Sequence, residues 1–359
     1  MSKIVIFSSE FMPTFPFIEF PLYNYIKNSG CNIKYILREK DIRLTDPSLY
    51  KYYKKLHIET INKPKDILKK IEKDDLLITK FCYKRFDGDV VSLVRGKNIK
   101  IFQHDVGGID VRVRSSVAQY LCVKSESLRR AVLKKFPKHY KNVFVTGTIQ
   151  YDNAYSTKVD RDEFMRSYGL NPDKKLVILT PANPGEAWMD GLQDDYRKIV
   201  NIVRNKCPNY DLIVKGHPLD YTASMPAQPG IIHKNEHYKG KHSWEVWAPQ
   251  LPVIKAEEGY KALKACDAVL NIRSSLAMET ALFKKPLINI NRNKYTTNWP
   301  FDSKVMLDIE MDELAFVLNT NNYSVDEKAC EEYVKRENYS GDGRAYVRTA
   351  DLAIRILNK

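Results

Sequence analysis

Asp267-Ala-Val-Leu-Asn-Ile-Arg-Ser-Ser-Leu-Ala-Met-Glu-Thr-Ala-Leu-Phe-Lys-Lys-Pro-Leu-Ile-Asn-Ile290 is the stretch on which the fold turns. Asp267–Ile272 is a short apolar run of strand length. Ser275–Phe283 spaces its apolar residues for a helix, and Pro286–Ile290 is a second apolar run. Strand, turn, helix and strand in immediate succession make the β-α-β unit of a parallel sheet. In such a sheet crossover helices cover both faces, so each strand reads as a nearly unbroken apolar run.

The same grammar runs outward from there. Lys175–Thr180 and Tyr210–Val214 read as strands, Asp194–Cys207 and Ala256–Ala265 as helices. In the first half, Ile4–Phe7, Asn32–Leu37, Asp75–Phe81, Ile99–His104, Gln119–Val123 and Asn142–Val145 read as strands. Phe17–Asn28 is an amphipathic helix, and Leu128–Phe136 is a shorter one behind an N-cap at Ser125. A Tyr/Lys-rich region after the second strand reads as helical, and the polar Asn153–Arg166 as a linker. Gly341-Asp342-Gly343 punctuates the entry to a terminal helix, Ala345–Leu357. The expected architecture is two Rossmann-like halves. No period of about 20–50 residues recurs, which excludes a solenoid.

Composition agrees with two folded domains. The chain has 359 residues, of which 43% are hydrophobic and 28% charged, too apolar for a disordered chain. No window approaches the ~18 apolar residues of a membrane span, and the N-terminus enters a strand without a signal-peptide core. Six scattered cysteines without a Cys-x-x-Cys pair read as reduced core residues of a cytoplasmic protein. The 58 Lys and Arg against 44 Asp and Glu give a net charge of +14, spread in pairs such as Arg129-Arg130 and Lys134-Lys135. Such a surface favours anionic partners and permits peripheral contact with the cytoplasmic membrane face. Aromatics are not interleaved with Arg, and no zinc or RNA-binding motif occurs, so nucleic acid is not an expected partner.

In doubly wound sheets ligands lie beyond the carboxyl ends of the strands, so the residues that follow strands are the candidates. His104-Asp105 follows the strand Ile99–His104 on a glycine-permitted turn. An imidazole beside a carboxylate suits acid/base chemistry; the alternative is a turn in which Asp105 caps local amides. Lys215-Gly216-His217-Pro218 follows Tyr210–Val214 and offers a cation and an imidazole to a phosphate. The plainer alternative is a Lys at a strand end with His217 filling a turn. Arg273-Ser274-Ser275 opens the helix that carries Glu279, where hydroxyls and free amides would attract an anion and Glu279 could accept ribose hydroxyls. The alternative is a serine N-cap with an ordinary first-turn acid. Gly147, after Asn142–Val145, and Thr180, at the end of Lys175–Thr180 and opening Thr180-Pro181-Ala182-Asn183-Pro184-Gly185, belong to polar turns that could touch a phosphate or a base. Asp87-Gly88-Asp89 resembles a metal-binding triplet but reads as a turn. His233, His237 and His242, with Glu236 and Glu245, lack metal-site spacing in a Pro/Gly/Lys-rich insertion, and no metal is expected.

Taken in order, these pieces resemble the glycosyltransferase-B (GT-B) superfamily from about Phe102 onward. Val143-Phe-Val-Thr-Gly-Thr-Ile-Gln-Tyr-Asp152 is similar to the "VTGN…D" of non-hydrolysing UDP-N-acetylglucosamine 2-epimerases and the "TG.PR.D" of CDP-glycerol glycerophosphotransferases. Ile213-Val-Lys-Gly-His-Pro218 resembles the latter family's "K.HP". Ala265 to Pro286 resembles the shared "AD…SS…E…GKP" nucleotide-diphosphate element, and Gly341-Asp-Gly-Arg-Ala345 the "DG.A" before the last helix.

The resemblance implies an α/β GT-B fold, with two Rossmann-like domains facing each other across a cleft and a C-terminal helix crossing back. The boundaries expected are an acceptor domain over residues 1–155, a nucleotide-donor domain over 156–340 and the terminal helix over 341–359. Carried over, His217 contacts donor phosphate, Ser274 and Ser275 hold the diphosphate, and Glu279 binds ribose. His104 falls at the "WHG" histidine of the glycerophosphotransferases, and Asp105 at the glutamate of the epimerases' "H.EAG". Two departures bear on activity: the epimerases' "HGD" is absent, Thr79-Lys80-Phe81-Cys82 standing there, and "DYSS" becomes Ile272-Arg273-Ser274-Ser275.

The leading expectation is therefore a metal-independent, inverting glycosyltransferase. It would move a sugar from a nucleotide-diphosphate sugar to a hydroxyl of a glycan or lipid-linked acceptor, with His104 or Asp105 as base. Lys215, His217, Arg273, Ser274 and Ser275 would stabilise the leaving diphosphate, and Ser9 and Glu10 would meet the acceptor. A CDP-glycerol-type glycerophosphotransferase and a 2-epimerase-like isomerase are the alternatives within the fold. A basic nucleic-acid-binding protein is the alternative outside enzymes.

Overall fold

The computed structural model describes residues 2–8, 15–39, 58–79, 85–97, 99–104, 118–135, 137, 142–181, 191–216, 250–254, 258–272, 274, 276–291 and 302–359. The chain begins with β1 (Ile4–Ser8), α1 (Phe15–Asn28), β2 (Ile33–Arg38), β3 (Ile58–Ile61), β4 (Leu76–Thr79), α2 (Arg85–Arg95), β5 (Lys100–His104) and β6 (Tyr120–Val123). It continues through α3 (Glu126–Lys135), β7 (Val143–Val145), α4 (Asp152–Ser156), α5 (Arg161–Ser167), β8 (Lys175–Thr180), α6 (Leu192–Lys206), β9 (Tyr210–Val214), α7 (Gly259–Ala265) and β10 (Ala268–Asn271). The last elements are α8 (Ala277–Leu282), β11 (Leu287–Ile290), β12 (Met306–Ile309), α9 (Leu314–Asn319), α10 (Glu327–Glu337) and α11 (Ala345–Leu357). Two compact units result: Met1–Tyr155 with Lys335–Lys359, and Ser156–Val334.

The first unit is built on a seven-stranded parallel sheet of order β3-β2-β1-β4-β5-β6-β7. Successive residues of β1 point to opposite faces, so one apolar run feeds two cores. Ile4 and Ile6 pack with Leu22 and Ile26 of α1 and with Ala350, Ala353 and Ile356 of α11. Val5 and Phe7 pack with Ile67 and with Val90, Val91 and Val94 of α2. Burying each such side chain is worth about 1.5–3 kcal/mol, so the shared core of α1 and α11 accounts for the return of the C-terminal segment to this unit. At the amino edge of the sheet Lys3 is buried with its ammonium 2.9 Å from Asp75 Oδ2 and 3.1 Å from Glu72 Oε1. Asp75 also accepts the Lys3 and Glu72 backbone N–H groups at 2.9 and 2.7 Å.

The second unit carries a five-stranded parallel sheet of order β12-β11-β10-β8-β9. Val177, Leu179, Leu270, Ile288 and Ile290 form one face of it, under Leu192, Tyr196, Ile199 and Val203 of α6 and Leu314, Val317 and Leu318 of α9.

Strands Lys175–Thr180 and Tyr210–Val214 and helix Ala345–Leu357 have the bounds expected from the sequence. Ser125 Oγ accepts the Leu128 N–H at 3.3 Å, as its N-cap assignment requires. Four expectations are corrected. The polar Asn153–Arg166 is mostly helical: α4 and α5 fill it, with Asp160 Oδ1 capping α5 by accepting the Glu163 N–H at 2.9 Å, and Phe164 and Met165 buried. Asp87-Gly88-Asp89 lies within α2 rather than in a turn. The helix read as Ser275–Phe283 is six residues long, Ala277–Leu282, with no side-chain cap at its start. β3 and β12, not read as strands, flank their sheets as short edges. The Tyr/Lys-rich region before β3 lies outside the described residues.

Among the described residues no helix is long and apolar enough to cross a membrane. None of their His, Cys, Asp and Glu side chains gather in groups of three or more that could hold a metal ion. Cys122, Cys207, Cys266 and Cys330 are buried reduced thiols, and Cys31 is reduced and half-buried.

Candidate functional site

Strand order in the second unit reverses between β8 and β10: β9 lies on one side of that pair, β11 and β12 on the other. Helices leave such a switch point in opposite directions and open a crevice at the carboxyl ends of the two strands. The last residue of β8, Thr180, is paired in register with the last residue of β10, Asn271. Both side chains are buried at 1% exposure.

Thr180 Oγ1 lies 3.0 Å from Asn271 Oδ1 and 3.2 Å from Leu270 O, its single proton serving one or the other. Asn271 Oδ1 also accepts the Ser274 N–H at 2.8 Å. Its Nδ2 donates to Asn289 Oδ1 at 2.9 Å and to Ser274 O at 3.3 Å. Asn289 Nδ2 in turn donates to Asp308 Oδ1 at 3.0 Å. Thr180, Asn271, Asn289 and Asp308 are direct register partners on β8, β10, β11 and β12, so a polar ladder crosses four strands at one level. An asparagine in the interior is tolerated only when its donors and acceptors are used, and Asn271 uses all of them.

Beside this ladder, Lys215 follows β9, and its backbone N–H donates to Leu179 O at 2.9 Å. Its side chain runs over Gly259 at the start of α7, where an added Cβ would sit 3.1 Å from Lys215 Cε. Glycine is thus what leaves room for the lysine stem. Burial pulls the Lys215 ammonium below the usual lysine range, and the negative charge of Glu279 opposes that pull. Glu279, at 7% exposure, stands in the first turn of α8. Ser274 is half-buried on the turn between β10 and α8.

Thr180, Lys215, Ser274 and Glu279 therefore all belong to the carboxyl edge of this sheet, as their positions after strands led us to expect. One physical premise changes. The Ser274 N–H is already taken by Asn271, and α8 is too short to present a helix terminus to an anion, so among the described residues of this edge a phosphate would look to the Ser274 hydroxyl and the Lys215 cation. Asn271 and Asn289 were not singled out in the sequence. The signal was there in two asparagines at the last turn of neighbouring apolar runs, where an amide is costly without partners. His217, Arg273 and Ser275 lie outside the described residues, as do the histidines at 233, 237 and 242.

In the first unit the order reverses between β1 and β4, whose last residues are Ser8 and Thr79. His104 ends β5, the next strand, paired with Cys122 and 1% exposed. Asp105, Ser9 and Glu10 lie outside the described residues.

Gly147 belongs to a different arrangement in that unit. With φ +82° it occupies the left-handed region, and an added Cβ would meet Ala345 Cβ and Arg348 Nη2 at 3.3 Å and Asn338 Oδ1 at 3.4 Å. Thr148 N–H donates to Asn338 Oδ1 at 2.7 Å, and Arg348 Nε donates to Thr146 O at 2.8 Å. Asp152 accepts the Ala345 and Tyr346 N–H groups at 3.0 and 2.8 Å, capping α11. Arg348 Nη1 also donates to both carboxylate oxygens of Asp342, at 2.8 and 2.7 Å. The Thr146–Asp152 motif and the Gly341–Ala345 motif are thus two halves of one joint. Gly147 is placed among the side chains of that joint, while Thr180, Lys215, Ser274 and Glu279 are gathered in the other unit.

A sequence model of the CDP-glycerol:poly(glycerophosphate) glycerophosphotransferase family matches residues 22–297. Among solved structures, the wall teichoic acid polymerase TagF is similar at TM-score 0.63 and 14% identity, over 99% of this chain and 89% of that one. S. aureus MnaA, in a structure with UDP, is similar at 0.66 and 13%, over 100% and 97%. The Neisseria meningitidis UDP-GlcNAc 2-epimerase, bound to UDP-GlcNAc, is similar at 0.64 and 11%, over 99% and 100%. No curated protein sequence matches the chain. At these identities the structural likeness establishes the fold, which is the GT-B fold.

Proposed function

Because the chain belongs to the CDP-glycerol:poly(glycerophosphate) glycerophosphotransferase family, and is a transferase, we propose that it moves a glycerophosphoryl group from a CDP-glycerol-type donor to an acceptor hydroxyl. The observation that carries the donor site is the meeting of Thr180 and Asn271 at the switch point of the five-stranded sheet, with Ser274, Lys215 and Glu279 at the same edge. The Lys215 ammonium and the Ser274 hydroxyl take the diphosphate, joined by His217, Arg273 and Ser275 of the same sequence elements. In this reading Glu279 accepts ribose hydroxyls, and its charge favours the protonated form of Lys215.

In this reaction the acceptor oxygen forms a bond to the β-phosphorus of the donor. The bond from that phosphorus to the oxygen bridging the two phosphates breaks, and CMP departs with the bridging electrons. The acceptor proton goes to a base, for which His104, the last residue of β5, and Asp105, next in the sequence, are the candidates. Negative charge grows on the bridging oxygen, so a fixed cation such as Lys215 contributes in the transition state, where it counts. A polyanionic acceptor suits the +14 net charge, and the same charge suits peripheral contact with an anionic membrane face. Ser9 and Glu10, after β1, are the proposed acceptor contacts.

A second reading, transfer of a sugar, is favoured by one observation: Ile272-Arg273-Ser274-Ser275 stands where the glycerophosphotransferases carry "DYSS". There the acceptor attacks the anomeric carbon, the carbon–oxygen bond breaks, and a nucleoside diphosphate leaves. The leaving group therefore decides between them. Incubated with CDP-glycerol and a glycerol-phosphate-primed acceptor, the protein is expected to release CMP. Release of a nucleoside diphosphate from a nucleotide sugar, with no CMP from CDP-glycerol, would replace the first reading by the second.

A further inference from the structure

Asn271 makes three hydrogen bonds with one side chain and competes with Leu270 O for a fourth, from the Thr180 hydroxyl; two of the three go to a single residue, Ser274, through both its N–H and its carbonyl. These two bonds tie the Ser274 backbone to the sheet from both sides of the residue. Ser274 is the residue whose hydroxyl faces the donor in the reading above, on which this inference rests. A hydroxyl contributes to binding only if the loop carrying it is already held, because ordering a loop at the moment of binding subtracts from affinity. Asn271 is itself held by Thr180 on β8 and by Asn289 on β11, and Asn289 by Asp308 on β12.

We propose that Asn271 is the positioning residue of the donor site. Its carboxamide clamps the Ser274 backbone through both its N–H and its carbonyl, and the Thr180–Asn271–Asn289–Asp308 ladder anchors that clamp to the sheet. Asn271 does not touch the donor; it acts through Ser274. The division of labour is specific. The Asn271–Ser274 bonds set donor affinity, while the Asn271–Asn289–Asp308 bonds set the stability of the sheet edge.

Two substitutions separate these roles. Asn271→Ala removes the clamp and the ladder together. Asn289→Ala breaks the ladder but leaves the Asn271–Ser274 bonds. Both are expected to lower the melting temperature, since each leaves a buried amide or hydroxyl without its partner. CDP binding, measured by calorimetry well below either melting point, is expected to weaken by about tenfold or more in Asn271→Ala. In Asn289→Ala it is expected to stay within about threefold of the unsubstituted protein. Asn271→Ser, whose hydroxyl can still accept the Ser274 N–H, is expected to recover part of the affinity without recovering the melting temperature.

CDP affinity that falls in step with melting temperature in both variants, or stays unchanged in Asn271→Ala, would overturn the inference. Should Asn271→Ala not fold, hydrogen exchange carries the test: the Ser274 N–H is expected to be protected in the unsubstituted protein and in Asn289→Ala alike. Free exchange in either overturns it. Ser274→Ala and Lys215→Ala tell the two levels apart. If both bind CDP normally, the donor site itself is misplaced and the positioning role falls with it. If both weaken while Asn271→Ala does not, only the positioning role fails.

Discussion

Asp152 ties the end of the β7 turn to the first turn of α11, and its ionisation should be readable as stability. Burial pushes its carboxyl from the ordinary 3.8 up to about 6, against the Tyr346 and Ala345 N–H groups and the charge of Arg348, which pull it down. The unfolded chain releases this proton near 3.8 and the folded chain near 6, so between those values the unfolded state holds fewer protons. The sign follows: the carboxyl's penalty on folding is absent below about pH 4, grows as pH rises, and is complete above about 6. The step from 3.8 to about 6, at ~1.4 kcal/mol for each tenfold change in proton affinity, makes that penalty about 3 kcal/mol. Asp152→Asn has no proton to lose, but its Nδ2 must face one of the two N–H donors, a cost of about 1–3 kcal/mol independent of pH. The difference in stability between the two proteins should therefore shrink by about 3 kcal/mol, in favour of Asp152→Asn, from pH 3.5 to pH 7. Hydrogen exchange at the Ala345 and Tyr346 amides, corrected for intrinsic rates, measures the opening of this contact directly. A difference that stays constant across that range would show that the backbone donors and Arg348 outweigh burial and would refute the reasoning.

Other consequences are equally specific. Gly147→Ala and Gly343→Ala each place a side chain at positive φ, and at Gly343 the added Cβ would fall 2.9 Å from Tyr155 Cδ2. Each should lower stability by about 1–3 kcal/mol in urea melts, with CDP binding unchanged. Gly259→Ala should shift stability by under about 1 kcal/mol but weaken CDP binding by crowding Lys215, as calorimetry would show. Because burial lowers the Lys215 pKa, CDP affinity should fall with rising pH earlier than an ordinary lysine predicts; Glu279→Gln should move that fall to lower pH still. Asp75→Ala strands the buried Lys3 ammonium and should cost about 3–5 kcal/mol at neutral pH. Desolvation pulls Lys3 down, but its bonds to Asp75 and Glu72 raise it above 10.5, so its stabilising share persists at neutral pH and is lost only in strong alkali.

The parallel sheets were legible because burial on both faces confines polar residues to the strand ends and to positions with partners across the sheet. Lys175–Thr180 and Tyr210–Val214, buried along nearly their whole length, stood out as uninterrupted apolar runs. The edge strands Ile58–Ile61 and Met306–Ile309 are short and each carries an exposed polar residue, Thr60 and Asp308, so they lacked that contrast. Asn153–Arg166 looked like a linker because its charged residues outnumber its apolar ones; yet Asp160 followed by Glu163 is a capping pattern that announces a helix. At the site, Thr180, Lys215, Ser274 and Glu279 were found from their places after strands. Asn271 was hidden by its position inside a run read as a strand, since hydrogen bonds to register partners do not show in one dimension. Gly147 carried a motif shared with nucleotide enzymes, and its structural neighbours are the side chains of the C-terminal joint.

The central claim is that the carboxyl edge of the five-stranded sheet receives the nucleotide diphosphate. Hydrogen–deuterium exchange with and without saturating CDP tests it on the whole chain at once. The account predicts protection gathered on three segments: the end of β8 at Thr180, the turn after β9 at Lys215, and Asn271–Glu279. Protection confined to the first unit, or absent from all three segments while calorimetry shows CDP bound, would contradict it.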